Sequence, residues 1–263
     1  MQEIIKKYES VLAKYRKTFA ARISADDLRT RHEVLFSAHS CAIEGNSFTV
    51  GDTQELKEKG LGLIPHGKTL FEAFEILDHF KAYEFLMSDT TRPLSEELLK
   101  ETHRILMANT LAYRVPDAVA GEYTNTDMCA GETVFGDHEV LIARVPSLME
   151  STEKAILQAT QHPMIIAARF HGFFEYLHPF RDGNGRIGRL VSNYILQRMG
   201  HPMIVIEAKD RTEYIGCLNA IRKERTDEYL IRFFFQTAID RMQLEINEHK
   251  AATNNQKLRN FIF

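Results

Sequence analysis

The residues best suited to chemistry lie in one short run, His178-Pro179-Phe180-Arg181-Asp182-Gly183-Asn184-Gly185-Arg186-Ile187-Gly188-Arg189. Gly183 and Gly185 flank Asn184 directly ahead of a helical apolar pattern. Successive backbone N–H groups can therefore converge on an anion that the helix dipole also favours. Arg186 and Arg189 sit three apart at the helix start, on neighbouring positions of one face, where both forked guanidinium groups can reach a polyphosphate. Asp182 offers a hard oxygen beside those phosphates, the ligand Mg²⁺ favours. His178 ends the preceding helical pattern, and histidine is the side-chain type best suited to proton transfer near neutral pH, so it is the candidate general base. Each residue alone has a plain structural explanation: a helix-end hydrogen-bond donor, an Asp-Gly turn, a solvated first-turn charge. Their concentration in one interhelical loop favours chemistry.

Two familiar phosphate motifs are excluded. Gly183, Gly185 and Gly188 match G-x-G-x-x-G, with Glu207 downstream where a dinucleotide fold places its ribose-binding acid. That fingerprint needs a preceding β-strand, whereas Phe173 to His178 has helical spacing. A P-loop is excluded because no Gly-Lys-Ser/Thr follows.

The elements around this loop read as helices. Ile4, Tyr8, Val11, Tyr15 and Phe19 form one apolar stripe on a first helix. Ser24 with Asp26 and Asp27 predicts the N-cap of a second, over about Asp27 to Glu44, stopped at Gly45-Asn46. A short Gly-bounded segment covers Leu56 to Gly60. Phe71, Phe74, Leu77, Phe80 and Phe85 predict a helix from about Thr69 to the turn at Thr91-Arg92-Pro93, and Ser95-Glu96-Glu97-Leu98 opens another with an acidic first turn. Between Gly121 and Pro146 the pattern breaks. There Val134-Phe135 and Val140-Leu141-Ile142 predict a hairpin about a type II′ turn at Gly136-Asp137. Helical signal resumes near Ser147. Pro163 suits a first helical position, Phe170, Phe173, Phe174 and Leu177 share a face up to His178-Pro179, and Ile187, Leu190, Val191, Tyr194 and Ile195 restart the pattern. Met203 to Ile206 reads as a short extended piece, and the chain reads helical from Tyr214 through Phe233 and Met242 to its end. The expected fold class is mainly α with one small hairpin.

Composition excludes several classes of function. With 44% hydrophobic and 26% charged residues in 263, the chain is of ordinary globular composition, neither disordered nor low in complexity. No apolar run approaches the roughly 18 residues of a membrane span. Met1 to Phe19 resembles neither a signal nor a transit peptide, which predicts a cytoplasmic protein. Cys41, Cys129 and Cys217 are odd in number and widely spaced, so reduced thiols are expected. A net charge of −3 gives no global attraction to nucleic acid or to an anionic membrane.

The run from His178 to Arg189 resembles the complete signature of Fic domains, HPFx(D/E)GNGRxxR. Ser40-x-x-x-Glu44-Gly45-Asn46 is similar to the inhibitory helix motif (S/T)xxxE(G/N) that precedes the core in one class of the family. The Gly121 to Pro146 hairpin falls where the family has a target-docking flap, although Glu122-Tyr123-Thr124 stands near a position where the family often has Arg. Asp210-Arg211-x-x-Tyr214 resembles the region lining the adenine pocket. About Ser40 to Arg225 is matched. The resemblance implies a Fic-type helical bundle, divided into an N-terminal helical region (1–95) carrying Ser40 to Asn46, a catalytic core (96–225) and a C-terminal helical extension (226–263).

The resemblance also implies an activity: transfer of AMP from ATP to a Ser, Thr or Tyr hydroxyl of a target protein, with release of pyrophosphate. His178 would be the base and Asp182 would hold Mg²⁺ across the α- and β-phosphates. The backbone of Gly183, Asn184 and Gly185 would form the anion hole, with the Asn184 side chain near the phosphates. Arg186 and Arg189 would bind the β- and γ-phosphates, and Tyr214 would lie by the adenine. Glu44, in the motif begun by Ser40, would pair with Arg189 and inhibit in cis. The target would dock at the flap, self-modification included, with homo-oligomerisation an open possibility. Other chemistries on the same scaffold are removal of AMP and transfer of UMP, phosphate or phosphocholine. A non-catalytic ATP-binding regulator is the competing class. The second glycine at Gly185 disfavours the kinase-like branch, which has lysine there, and retention of His178 and Asp182 disfavours the regulator.

Overall fold

Cap chemistry sets many of the helix boundaries. The computed structural model describes residues 1–19, 25–62, 64–130 and 133–262. Its elements run α1 (Gln2–Phe19), α2 (Ala25–Ile43), α3 (Val50–Lys59), α4 (Leu70–Met87), α5 (Glu96–Leu106), α6 (Leu111–Arg114), β1 (Cys129–Ala130), β2 (Thr133–Val134), α7 (His138–Ile142), α8 (Val145–Gln158), α9 (Pro163–Leu177), α10 (Asn184–Arg198), α11 (Arg211–Lys223) and α12 (Glu228–Ile262). Thr49 and Thr69 each close a capping box with the acid three residues on, Asp52 and Glu72, and Ser95 caps α5 through the Leu98 N–H. Pro163 takes the first position of α9, where its missing N–H has no intrahelical partner to lose. The Ser24 cap lies outside the described residues.

The helical bundle with a small hairpin is as expected, but three local expectations are corrected. The hairpin pairs Cys129 with Val134 and Ala130 with Thr133, so Gly136-Asp137 is not its turn. Val140 to Ile142 is helical: the Asp137 carboxylate accepts from the N–H groups of Glu139 and Val140 and nucleates α7 instead of a strand. The C-terminal helical stretch is broken between α11 and α12, where Arg225 takes a left-handed conformation (φ 59°). Met203 to Ile206 is buried but is held by one side chain in place of a strand: Asn193 donates to the Ile204 carbonyl (2.9 Å) and accepts from its N–H (2.8 Å).

The core centres on α9 and α10. Residues from Tyr8 in α1 to Ile246 in α12 join one apolar cluster around them, and even the polar positions Asn184, Arg186, Arg189, Ser192 and Asn193 of α10 are buried. A smaller cluster of Val34, Cys41, Phe48, Leu56, Ala73, Ile76 and Phe80 locks α2 against α3 and α4. Arg211 then donates to the Ile43 carbonyl (2.8 Å), satisfying an unpaired carbonyl at the end of α2. Ser40 and Glu44 are thereby fixed over the start of α10. Among the described residues no helix is long and apolar enough to cross a membrane.

Candidate active site

The loop between α9 and α10 is shaped by its own side chains. His178 ends α9 in the left-handed region (φ 49°), its N–H donating to the Phe174 carbonyl at 2.9 Å. Phe180 is fully buried and stacks on His103 with ring centroids 3.8 Å apart. Asn184 clamps the turn from both sides: its Oδ1 accepts from the Phe180 N–H (3.0 Å) and its amide donates to the Phe180 carbonyl (2.6 Å). The Asn184 amide is thus engaged with the loop backbone, and its contribution is to hold the anion-binding turn in shape. Gly183 sits at φ 83°, and a Cβ there would lie 2.8 Å from Met107 Sδ, so only glycine fits.

His103 is the first functional residue that the sequence did not reveal. Its Nδ1 accepts from the Gly121 N–H (2.8 Å), which leaves the proton on Nε2 to donate to the Asp182 carbonyl (3.0 Å). Burial holds its pKa down to about 4, keeping the ring neutral and this tautomer in place. His103 therefore ties α5, the start of the flap segment and the loop together. Thr124 adds a second tie, donating its N–H to the Pro179 carbonyl (2.8 Å).

The charged groups divide into two buried clusters. Arg186, 1% exposed, reaches Asp182 Oδ1 (3.3 Å) and Glu75 Oε1 (3.4 Å). Glu75, itself buried, also accepts from Arg114 (2.6 Å) and Asn46 (2.9 Å). Arg189, 3% exposed, donates to the Ser40 hydroxyl (3.1 Å), the Ser40 carbonyl (2.7 Å) and Glu44 Oε1 (2.8 Å), and lies 3.4 Å from the Tyr214 hydroxyl. Burial alone would lower the Arg189 pKa, but the contacts with the Tyr214 hydroxyl and the Glu44 carboxylate raise it. Glu44 lies over Gly185 so closely that a Cβ there would sit 2.3 Å from its Oε1. Tyr214 is buried with its hydroxyl 2.6 Å from His171 Nε2, next to Arg189.

His178 and Asp182 lie on the open side of the loop. The His178 ring stacks against Phe135, just past β2, at 4.1 Å between centroids, and the Arg222 guanidinium covers the Phe135 ring at 4.2 Å. Asp182 Oδ1 accepts from the Gly183 N–H (2.6 Å), while its Oδ2 makes no hydrogen bond and lies 3.5 Å from the Arg114 guanidinium. The structure therefore brings His178, Asp182, the glycine backbone, Arg189, Ser40 and Glu44 to one place. His103, Glu75, Glu175 and Phe135 escaped the sequence reading because their partners lie outside the motif or, for Glu175, because an acid on an apolar helix face carries no local signature.

Fold and site together define a helical domain in which a glycine-bounded turn at the start of α10 stands beside a histidine, a carboxylate and two buried arginines. Residues 93–196 match the model of the Fic/DOC family, so the chain carries a Fic domain over that segment. The Protein adenylyltransferase Fic of Drosophila grimshawi is 31% identical over 193 residues, covering 71% of this chain and 38% of the relative. The chain thus spans less than half the length of such curated relatives. A Fic-domain-containing signaling protein from Bacteroides thetaiotaomicron shares the fold with a TM-score of 0.80 at 24% identity, over 93% of this chain and 97% of that one. Fic-1 from C. elegans superposes with a TM-score of 0.77 at 25% identity, over 94% of this chain and 73% of that one.

Proposed function

We propose that this chain is a protein adenylyltransferase that moves AMP from ATP to a protein hydroxyl and is held in a low-activity state by Glu44. The observation that carries this reading is the contact of Glu44 with Arg189 directly over Gly185, at the anion-binding end of α10. A carboxylate at that point occupies the charge that a triphosphate needs. The relatives named as protein adenylyltransferases support the choice of reaction.

In this reading His178 takes the proton of the target hydroxyl and the oxygen attacks the α-phosphorus. The bond to the β-phosphate breaks and pyrophosphate leaves. The N–H groups of the Gly183 to Gly185 turn, at the positive end of the α10 dipole, oppose the charge that develops on the α-phosphate. Arg189 takes the terminal phosphate once Glu44 moves away, and Arg186, braced by Glu75, supplies the second positive charge. Asp182 Oδ2, buried and without a hydrogen bond, fits a hard divalent cation such as Mg²⁺, with phosphate oxygens and water as the other ligands. When bound, the cation would neutralise phosphate charge. The short β1–β2 hairpin beside His178 suits an extended target segment that adds main-chain hydrogen bonds.

The test is incubation of wild type, Glu44→Gly and Glu44→Gly/His178→Ala with Mg²⁺ and α-phosphate-labelled ATP. Glu44→Gly should label protein, itself or a target, at least roughly tenfold faster than wild type, and the double variant should return to background, since a general base contributes about 10²- to 10⁴-fold. Equal labelling of wild type and Glu44→Gly would overturn the inhibitory assignment. Labelling that survives His178→Ala would overturn the base.

A further inference from the structure

The base has a partner that the signature does not contain. One turn before His178 on α9, Glu175 turns its carboxylate toward the imidazole, with Oε2 3.7 Å from His178 Nδ1. Both side chains are largely buried, at 15% and 13% exposure, so the contact is not a solvated surface pair. His178 Nδ1, Glu175 Oε1 and His171 Nδ1 are all buried and make no hydrogen bond to protein, although each must satisfy its polar capacity. Two of these atoms converge on Gly188, where a Cβ would lie 2.6 Å from His171 Nδ1 and 3.1 Å from Glu175 Oε1. The absence of a side chain at Gly188 is what leaves room there for the Glu175 carboxylate and the His171 ring. Despite burial, which opposes ionisation, the neighbouring His178 ring and the more distant Arg189 charge hold the Glu175 pKa below the usual carboxylate range.

An imidazole that is to accept a proton at Nε2 must carry its own proton on Nδ1. Free neutral imidazole does not hold that tautomer firmly, so the site needs an acceptor at Nδ1. Arg222, packed near the pair, donates to the backbone carbonyls of Glu175 and Tyr176. We propose that Glu175 is a positioning residue that accepts from His178 Nδ1–H, fixing the ring with its Nε2 lone pair toward the attacking hydroxyl. The pair is to this base what the aspartate is to the histidine of a hydrolase triad: it selects the tautomer and steadies the imidazolium after proton transfer. The observed 3.7 Å separation suits a contact that tightens when substrate is bound.

This inference rests on the adenylyl-transfer reading for its catalytic consequence but not for its structural one, so two readouts are needed. In the full chain labelled with ¹⁵N-histidine and with His178 assigned by its loss in His178→Ala, long-range ¹H–¹⁵N correlation reports which ring nitrogen carries the proton. His178 should be protonated predominantly at Nδ1 in wild type. In Glu175→Met, which keeps the volume and removes the acceptor, the Nε2-protonated form should predominate. Glu175→Gln, which keeps a carbonyl acceptor, should lie between the two. An unchanged His178 tautomer in Glu175→Met would overturn the proposal whether or not adenylyl transfer occurs. In the Glu44→Gly background Glu175→Met should lower kcat roughly 10- to 100-fold with KM for ATP unchanged, and Glu175→Gln should lower it less. A fall in KM-dependent terms alone, or a kcat equal to that of the parent, would also overturn it. No transfer by Glu44→Gly itself would count against the proposed activity and leave the tautomer result to decide the role of Glu175.

Discussion

Glu75 is a single buried carboxylate that serves three partners, and that sharing makes it the residue on which the loop charges depend. It faces Arg186 and Arg114 and accepts from Asn46, joining the turn that follows α2 to the Asp182 side of the loop. Replacing it with Gln leaves Arg186 at 1% exposure with Asp182, at 3.3 Å, as its remaining ion-pair partner. Breaking a buried pair from one side typically costs about 3 kcal/mol or more, so Glu75→Gln should lower the urea midpoint clearly with little change in slope. A variant as stable as wild type would mean that Arg186 is neutralised by other groups. Nothing near Glu75 in the sequence marks it, because it reads as one polar residue on a helix dense in phenylalanine. The same holds for His103, whose partners Gly121 and Asp182 are remote in sequence. By contrast His178, Asp182, Gly183, Gly185, Arg189 and Glu44 were legible, since their chemistry depends on close spacing or on a motif.

At the scale of elements, helices were readable wherever a cap or a proline punctuated the chain, as at Thr69, Ser95 and Pro163. The flap was legible as a break in helical period but not in register. The apolar run Val140 to Ile142 after a Gly-Asp turn signal suggests a strand, yet the Asp137 cap gives the same residues a helix, and a two-strand ribbon has too little burial to override local chemistry. Such a ribbon needs an anchor from elsewhere. Phe135 provides it: the ring is 7% exposed, lies on His178 and is covered by Arg222. Phe135→Ala should therefore release the flap without unfolding the bundle. Amides of residues 127–130 and 133–137 should exchange with deuterium roughly tenfold faster, about 1.4 kcal/mol of local opening, while those of α9 and α10 keep their protection. Faster exchange in all three segments would show that Phe135 belongs to the global core.

For the whole molecule, acid is the informative perturbant. Burial pushes both His103 and His171 down to about 4, against about 6.5 in an unfolded chain. Between those values the unfolded state binds more protons than the folded one. Stability therefore rises with pH through this window and is lost as pH falls from about 6.5 toward 4. Together the two rings should remove on the order of 2 to 4 kcal/mol between pH 7 and pH 5, read as a falling melting temperature. His201, lowered to about 4 by burial and by the neighbouring His162, acts in the same direction where Tyr8 of α1 meets the turn after α10. A melting temperature flat from pH 7 to 5 would contradict this account. Glu72 and Glu245, held near 2 by hydrogen bonds in spite of burial, extend the loss to lower pH. The Asn184 clamp on Phe180 carries a consequence for timing. A turn that already has its final shape has no ordering step left to perform when nucleotide arrives. The slow event in binding should then be the departure of Glu44 from Arg189, so the observed association rate should plateau as nucleotide concentration rises in wild type and stay linear over the same range in Glu44→Gly.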